Sequence, residues 1–379
     1  KGDYAYESAP NSTDLTWETV ITKNIGLDLG FLNNRLNVSF DAYIRDTKDM
    51  LMAGKTLPGV YGASSPRMNV ADLRTKGWEA SVTWGDSFTL ASKPFNYRIM
   101  AGIGDNTSKV TKYDNPNRTL TDPYEGQQLG EIWGYVVDGY FKTDEEARNY
   151  KVDQSFVNQM INASALDNGL HAGDLKLDGN NKIEQTTSAN DRKDMKVIGN
   201  SLPRYNYNFG ISADWYGIDF SVLFQGIGKQ NWYPGAETSM FWGPYSRPYA
   251  SFIPSDFMSQ VWSEENTNAY FPRPRGYVAL GSNRELAVVN TKYLQNLAYC
   301  RLKNLSIGYT LPDKWLSKIG FEKIRVYFSG ENLLTFTKLH SDYIDPEQAS
   351  ASNSWKTSKS DANIYPWAKT YSFGVDITF

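Results

Sequence analysis

The last eleven residues, Lys369 to Phe379, read K-T-Y-S-F-G-V-D-I-T-F, and this stretch decides the fold. Every second side chain in it is large and apolar, whereas those between are Thr, Ser, Gly and Asp. The alternation predicts a β-strand with one apolar and one polar face, because successive side chains of a strand point to opposite sides. A strand of about 11 residues, rising about 3.3 Å per residue and tilted by about 45°, spans about 25 Å, the height of the apolar band around a membrane barrel. The stretch is therefore predicted to cross a bilayer.

The same alternation recurs along the chain. In the segment Leu36 to Arg45, the residues Leu, Val, Phe, Ala and Ile alternate with Asn, Ser, Asp, Tyr and Arg. A helix would mix these two sets, so the segment is predicted to be a strand. Similar alternation is found at residues 25–31, 78–84, 95–103, 205–215, 218–224, 305–309 and 324–328. Together with the C-terminal stretch, these segments predict about nine strands.

The connections between the strands alternate between short and long. Short links are predicted at Asn33-Asn34, Gly85 to Pro94, Tyr216-Gly217 and Leu311 to Lys323. Long segments lie between them, at Met50 to Leu73, Lys109 to Leu202, Asn231 to Asn290 and Lys338 to Trp367. A membrane barrel has short periplasmic turns and long extracellular loops, and loops beyond about 15 residues usually carry function. The sequence therefore predicts an all-β fold, a transmembrane antiparallel β-barrel with long extracellular loops.

The composition agrees with a barrel and excludes other classes of protein. The mean hydropathy is −0.52 and no run of about 18 apolar residues is present, which excludes transmembrane helices but not a barrel, whose apolar half is hidden in alternation. A formal net charge of −3 gives no reason to expect nucleic acid as a partner. The single cysteine, Cys300, has no second cysteine for an internal disulfide.

The predicted number of strands is odd, whereas single-chain bacterial barrels use an even number and must close so that no strand edge meets lipid. The chain also begins with Lys1 and shows no signal peptide. We therefore expect residues 1–379 to be the C-terminal portion of a larger barrel, with the N-terminal strands absent from this chain.

Six blocks of sequence carry a more specific signal. They are Asp14 to Leu51, Asn69 to Trp84 (N-V-A-D-L-R-T-K-G-W-E-A-S-V-T-W), Ile132 to Phe141 (I-W-G-Y-V-V-D-G-Y-F), Val197 to Gly210 (V-I-G-N-S-L-P-R-Y-N-Y-N-F-G), Gly330 to Thr337 (G-E-N-L-L-T-F-T) and Asp345-Pro346-Glu347. In this order the blocks resemble the C-terminal half of SusC/RagA-type TonB-dependent transporters, over nearly the whole chain.

The resemblance implies a roughly 22-stranded barrel in the bacterial outer membrane, of which this chain supplies the C-terminal strands. It also implies an N-terminal plug domain that fills the lumen and lies outside this chain. Expected partners are the remaining barrel and plug segment, TonB through the missing N-terminal part, a SusD-like surface lipoprotein over the extracellular mouth, and the lipid bilayer. The expected cargo is a glycan or an oligopeptide.

Aromatic side chains crowd the long loops and are candidates for ligand contact. Flat rings offer a rigid surface on which a sugar ring or a peptide side chain stacks at low entropic cost. The candidates are Trp133, Tyr135, Trp232, Tyr233, Trp242 and Tyr245, with Tyr249 and Phe252 nearby in sequence. The alternative is that these rings pack the long loops against one another or against the partner lipoprotein.

One loop, 174–191, carries a possible calcium signature, although no cofactor is required by the predicted function. Residues 174–184, D-L-K-L-D-G-N-N-K-I-E, are followed by Asp191 and resemble a D-x-N-x-D-G-x-I-D stretch of the same family. Ca²⁺ takes about six to eight oxygen ligands from carboxylates, amides and backbone carbonyls. The candidate positions are Asp178, Asn180, Lys182, Glu184 and Asp191. The alternative is a metal-free turn, because Asn181 stands where the turn glycine usually is.

Catalytic patterns are absent from the sequence. The two histidines, His171 and His340, lie far apart, and no G-x-S-x-G, Walker or H-E-x-x-H pattern accompanies them. We therefore expect no enzyme, but an outer-membrane active importer of the SusC type, in which this chain forms the channel wall and part of the extracellular ligand surface. Two alternatives stay open, a passive porin-like or adhesin barrel and a secreted glycan-binding β-protein.

Overall fold

The computed structural model contains one nine-stranded antiparallel sheet, which we call the wall. The structure describes residues 15–54, 60, 62, 64–158, 170–246, 253–274, 279–281, 284–316, 320–349, 359–360 and 365–379. The strands of the wall, numbered among themselves, are β1 (Thr19–Phe31), β2 (Leu36–Ala53), β3 (Arg67–Leu90), β4 (Lys93–Lys112), β5 (Arg204–Trp215), β6 (Ile218–Lys229), β7 (Tyr299–Thr310), β8 (Lys323–Thr337) and β9 (Thr370–Thr378).

The strands lie side by side in chain order, so each inner strand pairs with the strand before it and the strand after it. The two edges are β1 and β9, and each has a single neighbouring strand in the part of the chain that the structure describes. The predicted nine strands and their antiparallel order are confirmed. The sheet is open at both edges, as expected for a portion of a larger barrel.

The register places apolar residues beside apolar residues across the wall. Trp84 pairs with Ile99, Ile99 with Ile211, and Ile211 with Val222. Three positions further along the same two strands, Asn208 pairs with Gln225. Large apolar side chains on the outward face are exposed, among them Ile99, Phe209, Ile211, Ile307 and Val326. This face is therefore the surface that meets lipid, and the polar face lines the lumen.

Tight turns close the hairpins at the short-turn end of the wall. Ala91-Ser92 joins β3 to β4, and Tyr216-Gly217 joins β5 to β6. The φ angles are 47° and 62° in the first turn and 50° and 85° in the second, so both central residues are left-handed, as type I′ turns require. The predicted Tyr216-Gly217 turn is confirmed.

Two other predicted links have different boundaries in the structure. The β1–β2 connection spans Leu32 to Arg35, because the ladder already ends at the Phe31–Leu36 pair. The predicted link from Gly85 to Pro94 is wrong in extent, because the ladder continues to the Leu90–Lys93 pair. The polar stretch after Gly85 resembles a loop in sequence but pairs with β4 along its whole length.

Strands β2 to β4 are longer than a bilayer requires. They contain 18, 24 and 20 residues, and a strand of 24 residues tilted by about 45° rises about 55 Å. Their upper parts also lose the alternation of apolar and polar residues, as in residues 104–109 (G-D-N-T-S-K). These upper parts therefore stand above the membrane, and the loop that joins β2 to β3, 54–66, is shorter than predicted.

Three long connections at the opposite end, which we call the loop end, have structure of their own. Loop A comprises residues 113–203, loop B residues 230–298 and loop C residues 338–369. Short strands pair Glu131–Tyr135 with Met195–Asn200, Val137–Tyr140 with Leu175–Leu177, and Asn231–Pro234 with both Gln295–Asn296 and Lys359–Ser360. Short helical segments are Asp144–Asn149, Ser155–Asn158, Ser239–Trp242, Gly243–Tyr245 and Phe257–Gln260, and a further helix, Asp313–Leu316, lies at the short-turn end.

The described parts of loops A, B and C share one main hydrophobic core, which we call the cap, and loop A adds two smaller clusters around Tyr135 and Phe141. Its buried members include Ile132 and Leu175 from loop A, Trp232 and Phe271 from loop B, and Leu339 and Ile344 from loop C. The core of this protein thus lies above the membrane. Among the described residues, no helix has the length and apolar character needed to cross a bilayer.

Neighbouring residues on the two faces of β5 allow a direct test of which face of the wall meets lipid. We expect Phe209→Arg in the full-length protein to lower the free energy of unfolding by about 2–4 kcal/mol, because the charge would enter the apolar part of the bilayer. The matched variant Asn208→Arg, one residue away on the lumen face, should cost much less. Urea-dependent unfolding in lipid vesicles, followed by heat-modifiable gel mobility, measures both. Equal costs for the two variants would contradict the assignment of the faces.

Candidate functional site

The lumen face of the wall carries charge at its short-turn end. The Arg325 guanidinium on β8 binds the Asp219 carboxylate of β6 at 2.6 Å and the Asp376 carboxylate of β9 at 3.3 Å. These groups lie on the polar face that alternation assigns to the lumen, so their charges meet water or protein and not lipid.

An open recess of about 350 Å³ lies on the same face between β4, β5 and β6. Its polar lining includes Asn96, Arg98, Ser212, Asp214 and Asp219. The Asn96 amide donates to the Asp214 carboxylate at 2.8 Å. The recess presents both signs of charge and suits a polar chain segment better than an apolar ligand.

The aromatic residues proposed from the sequence as ligand contacts are mostly buried in the cap. Trp232, Tyr233 and Trp242 are 0% exposed, and Tyr135 and Tyr245 are 1% and 2% exposed. Trp133 alone among the six is partly exposed, and its indole donates to the Glu131 carboxylate at 3.0 Å. Tyr249 and Phe252 lie outside the described residues.

The polar atoms of the buried rings have partners inside the cap. The Tyr233 hydroxyl donates to the Leu286 carbonyl and accepts from the Asn290 amide, both at 2.8 Å. The Trp242 indole donates to the Gly235 carbonyl at 3.0 Å. Burial also raises the pKa of Tyr233 well above its ordinary value. These rings pack against one another, which is the alternative stated above, and ligand contact by any of the six stays a prediction.

A partly exposed aromatic patch on the cap was not found from the sequence. It consists of Gln260, Tyr270 and Lys292 from loop B and His340 from loop C, and we call it the Lys292 patch. The Tyr270 and His340 rings stack with centroids 3.5 Å apart and planes inclined by 15°. The His340 Nε2 and the Gln260 Oε1 are 2.8 Å apart. Burial against the cap lowers the pKa of His340, although nearby Asp342 and Asp256 act in the opposite direction.

A buried charge cluster ties loop C to the wall, and we call it the Arg301 clamp. Arg301 on β7 is 1% exposed, and its guanidinium binds Asp345 at 2.6 Å and Glu347 at 2.7 Å. The Lys303 ammonium binds Glu347 at 2.9 Å. Asp345 also accepts the backbone N–H of Trp367 at 3.2 Å. The Asp345-Pro346-Glu347 block is therefore a structural anchor.

Lysine side chains occupy the space between the acids of the proposed calcium loop. The Lys193 ammonium lies 3.4 Å from Asp191 and 3.8 Å from Glu184, and the Lys196 ammonium lies 3.6 Å from Asp178. The Asp191 carboxylate, followed by that of Glu184, raises the pKa of Lys193. Across the described residues, no group of three or more His, Cys, Asp or Glu side chains converges as a metal site would require.

The backbone of this loop is organised around a carboxylate. Asp194 is nearly buried and accepts the N–H of Glu184 at 2.7 Å and that of Asn180 at 3.5 Å. Lys182, another proposed position, is 4.0 Å from Asp153. A calcium site collects oxygens, whereas this loop collects N–H groups and ammonium groups. The residues present therefore do not fit the ion and favour the metal-free turn, and the calcium site predicted from the sequence is untested.

A lipid-facing apolar surface, a polar lumen face and a folded cap at one end define a portion of an outer-membrane β-barrel. The family model "TonB dependent receptor-like, beta-barrel" matches residues 2–333. The chain therefore belongs to the TonB-dependent receptor β-barrel family, whose members are outer-membrane proteins. This is a family of receptors and transporters and not a family of enzymes, and the alternative of a secreted β-protein is wrong.

Relatives of this chain are longer proteins. TonB-dependent receptor P3 of Formosa agariphila is 28% identical over 385 residues, which cover 97% of this chain and 34% of that protein. TonB-dependent receptor SusC of Bacteroides thetaiotaomicron is 23% identical over 369 residues, covering 97% of this chain and 32% of SusC. The chain thus spans about a third of the length of these relatives.

Solved structures share the fold. The RagAB peptide importer in its open-open state matches with a TM-score of 0.69 at 22% identity, over 97% of this chain and 35% of that one. The closed-closed state matches with a TM-score of 0.66 at 23% identity, over 97% and 36% of the two chains. The SusC/RagA resemblance and the predicted barrel fold are confirmed.

The Arg301 clamp predicts a large effect of one substitution. We expect Arg301→Met in the full-length protein to cost about 3–5 kcal/mol of folding free energy, because two carboxylates lose a buried cation. Lys303→Met should cost less, since Lys303 is less buried and contacts one of the two acids. Urea-dependent unfolding of both variants, with limited proteolysis of loop C as the readout, measures the two losses of stability. An Arg301→Met protein as stable as the native one would rule out an anchoring role.

Because lysines pair with the acids of loop 174–191, we expect this loop to be insensitive to calcium. We expect the protease sensitivity of the 174–194 region in the full-length protein to be equal in excess Ca²⁺ and in EDTA, because ammonium groups already neutralise its acids. Lys193→Gln removes the ammonium group that pairs with Asp191 and Glu184, and it is the comparison variant. Faster cleavage of the native protein in EDTA would establish the calcium site predicted from the sequence.

Proposed function

We propose that this chain forms part of a SusC-type active importer of the outer membrane, contributing the channel wall and part of the extracellular ligand surface. One observation carries the proposal. A wall that is apolar towards lipid and polar towards the lumen is joined, at its loop end only, to a folded cap of three long loops. Such an asymmetric barrel presents its binding surface to one side of the membrane.

The family supports an energised mechanism. Relatives that match 97% of this chain are named TonB-dependent receptors, and this chain belongs to the same family. We infer that the complete protein takes energy from TonB through a part outside this chain, with a plug segment in the lumen. The polar recess beside Arg98 and Asp214 is a surface of suitable chemistry for such a segment.

The proposed partner and cargo rest on the comparison with RagAB. RagAB is described as a peptide importer, and this chain shares its fold. We infer that a SusD-like surface lipoprotein covers the cap and that the cargo is an oligopeptide or a glycan. Either cargo presents polar groups and flat apolar faces, and the exposed His340 ring stacked on the partly buried Tyr270 ring offers a matching surface.

Uptake by whole cells tests the proposal. Cells that express the full-length gene should accumulate labelled oligopeptide or glycan mixtures, and uptake should stop when TonB is deleted or the proton gradient is collapsed. A small solute that crosses general porins serves as the control and should enter in all conditions. Cargo uptake that persists without TonB would favour the passive porin-like alternative. Absence of any gene-dependent uptake would favour an adhesin.

A further inference from the structure

The Lys292 patch contains a half-buried ammonium group with no carboxylate partner among the described residues. Its Nζ lies 4.6 Å from the centroid of the Tyr140 ring and 5.7 Å from that of the Tyr270 ring. Burial alone lowers the pKa of Lys292.

The other partly buried lysines among the described residues, Lys176 and Lys303, are paired with carboxylates. Lys176 contacts Asp138 at 3.1 Å and Glu146 at 3.2 Å, and Lys303 contacts Glu347. At Lys176 burial lowers the pKa, but the two carboxylates more than offset it and the pKa is raised. Taking a charge out of water costs free energy unless an opposite charge compensates it. Lys292 is the exception, with aromatic faces in place of an anion.

The surroundings of Lys292 are firmly built. The Tyr140 hydroxyl donates to the Tyr270 carbonyl and lies 2.8 Å from the Tyr293 hydroxyl. The Tyr270 hydroxyl accepts from the Gln295 amide at 2.9 Å, and the backbone N–H of Lys292 donates to Asn290 at 3.1 Å. The ammonium is thus held at the edge of the Tyr270–His340 stack, in which His340 is exposed and Tyr270 is partly buried, where loops A, B and C meet.

We propose that Lys292 binds a carboxylate of the imported molecule while the Tyr270–His340 stack supports the adjoining part of that molecule. A carboxylate would supply the missing counter-charge in a partly desolvated site, where a charge-assisted hydrogen bond is strong. An oligopeptide carries this group at its C-terminus, and among glycans an acidic oligosaccharide carries it in its uronate units. The inference rests on the proposed import function and specifies its ligand chemistry.

Binding of four probes to the purified full-length protein tests the inference. The probes are an oligopeptide with a free C-terminus, its C-terminal amide, an oligogalacturonate and its methyl ester, each measured by calorimetry. We expect one free-carboxylate probe to bind about ten- to a hundredfold more tightly than its neutral counterpart, which corresponds to the strength of a hydrogen bond to a charged group. Which pair shows the difference identifies the source of the carboxylate.

Three variants make the result specific to Lys292. Lys292→Met should remove the preference for the free carboxylate and leave binding of the neutral probe unchanged, whereas Lys292→Arg should retain it. Lys151→Met removes an exposed lysine of loop A and should behave as the native protein. Heat-modifiable gel mobility confirms that each variant is folded.

Two outcomes would overturn the inference. One is equal binding of charged and neutral probes by the native protein, including no binding of any probe. The other is an unchanged carboxylate preference in a folded Lys292→Met protein. The whole-cell uptake experiment distinguishes the two proposals, because TonB-dependent uptake that is indifferent to Lys292 refutes this inference alone.

Discussion

The structure depends on the pairing of every backbone N–H and C=O group that lies in lipid. Inside a bilayer an unpaired peptide group costs several kcal/mol, so a chain that crosses with strands must continue its ladder from one strand to the next. The nine strands of the wall satisfy this requirement between neighbours and leave one open ladder edge each on β1 and β9. Further strands must pair with these two edges in the membrane. The third of a relative's length that this chain represents is consistent with that need.

The same constraint explains why the hydrophobic core lies above the membrane. A single-layered wall faces lipid with its apolar side and water or protein with its polar side, so it has no interior of its own to fill. The long connections are free of that limit and bury large side chains such as Trp232, Trp242 and Phe271 in the cap. The aromatic side chains therefore lie in two apolar environments. Some face lipid, and others lie in the interior of the cap.

The sequence was sufficient to predict the wall but not the cap. Strand identity follows from a period of two residues, which is local, and all nine strands were found in this way. The ends were less certain, because a polar stretch such as the one after Gly85 has the same composition in a loop and in a solvated strand. Whether a loop ring is buried depends on contacts between residues far apart in the chain. Tyr140 and Tyr293, for example, are 153 positions apart yet share a hydrogen bond, and no local pattern reports it.

In the proposed importer, burial of the loop aromatics also changes where cargo recognition can take place. The cap is tied to the wall through loop A, where the Leu129 N–H donates to the Ser108 carbonyl, and through loop C, where Asp345 meets Arg301. We expect a unit with its own core and such attachments to keep its buried rings away from a ligand, because exposing them would open the core. Recognition is then left to groups at the surface of the cap and on the lumen face. Those groups are mainly polar or charged, so selectivity in this protein should follow hydrogen bonding and charge more than apolar contact.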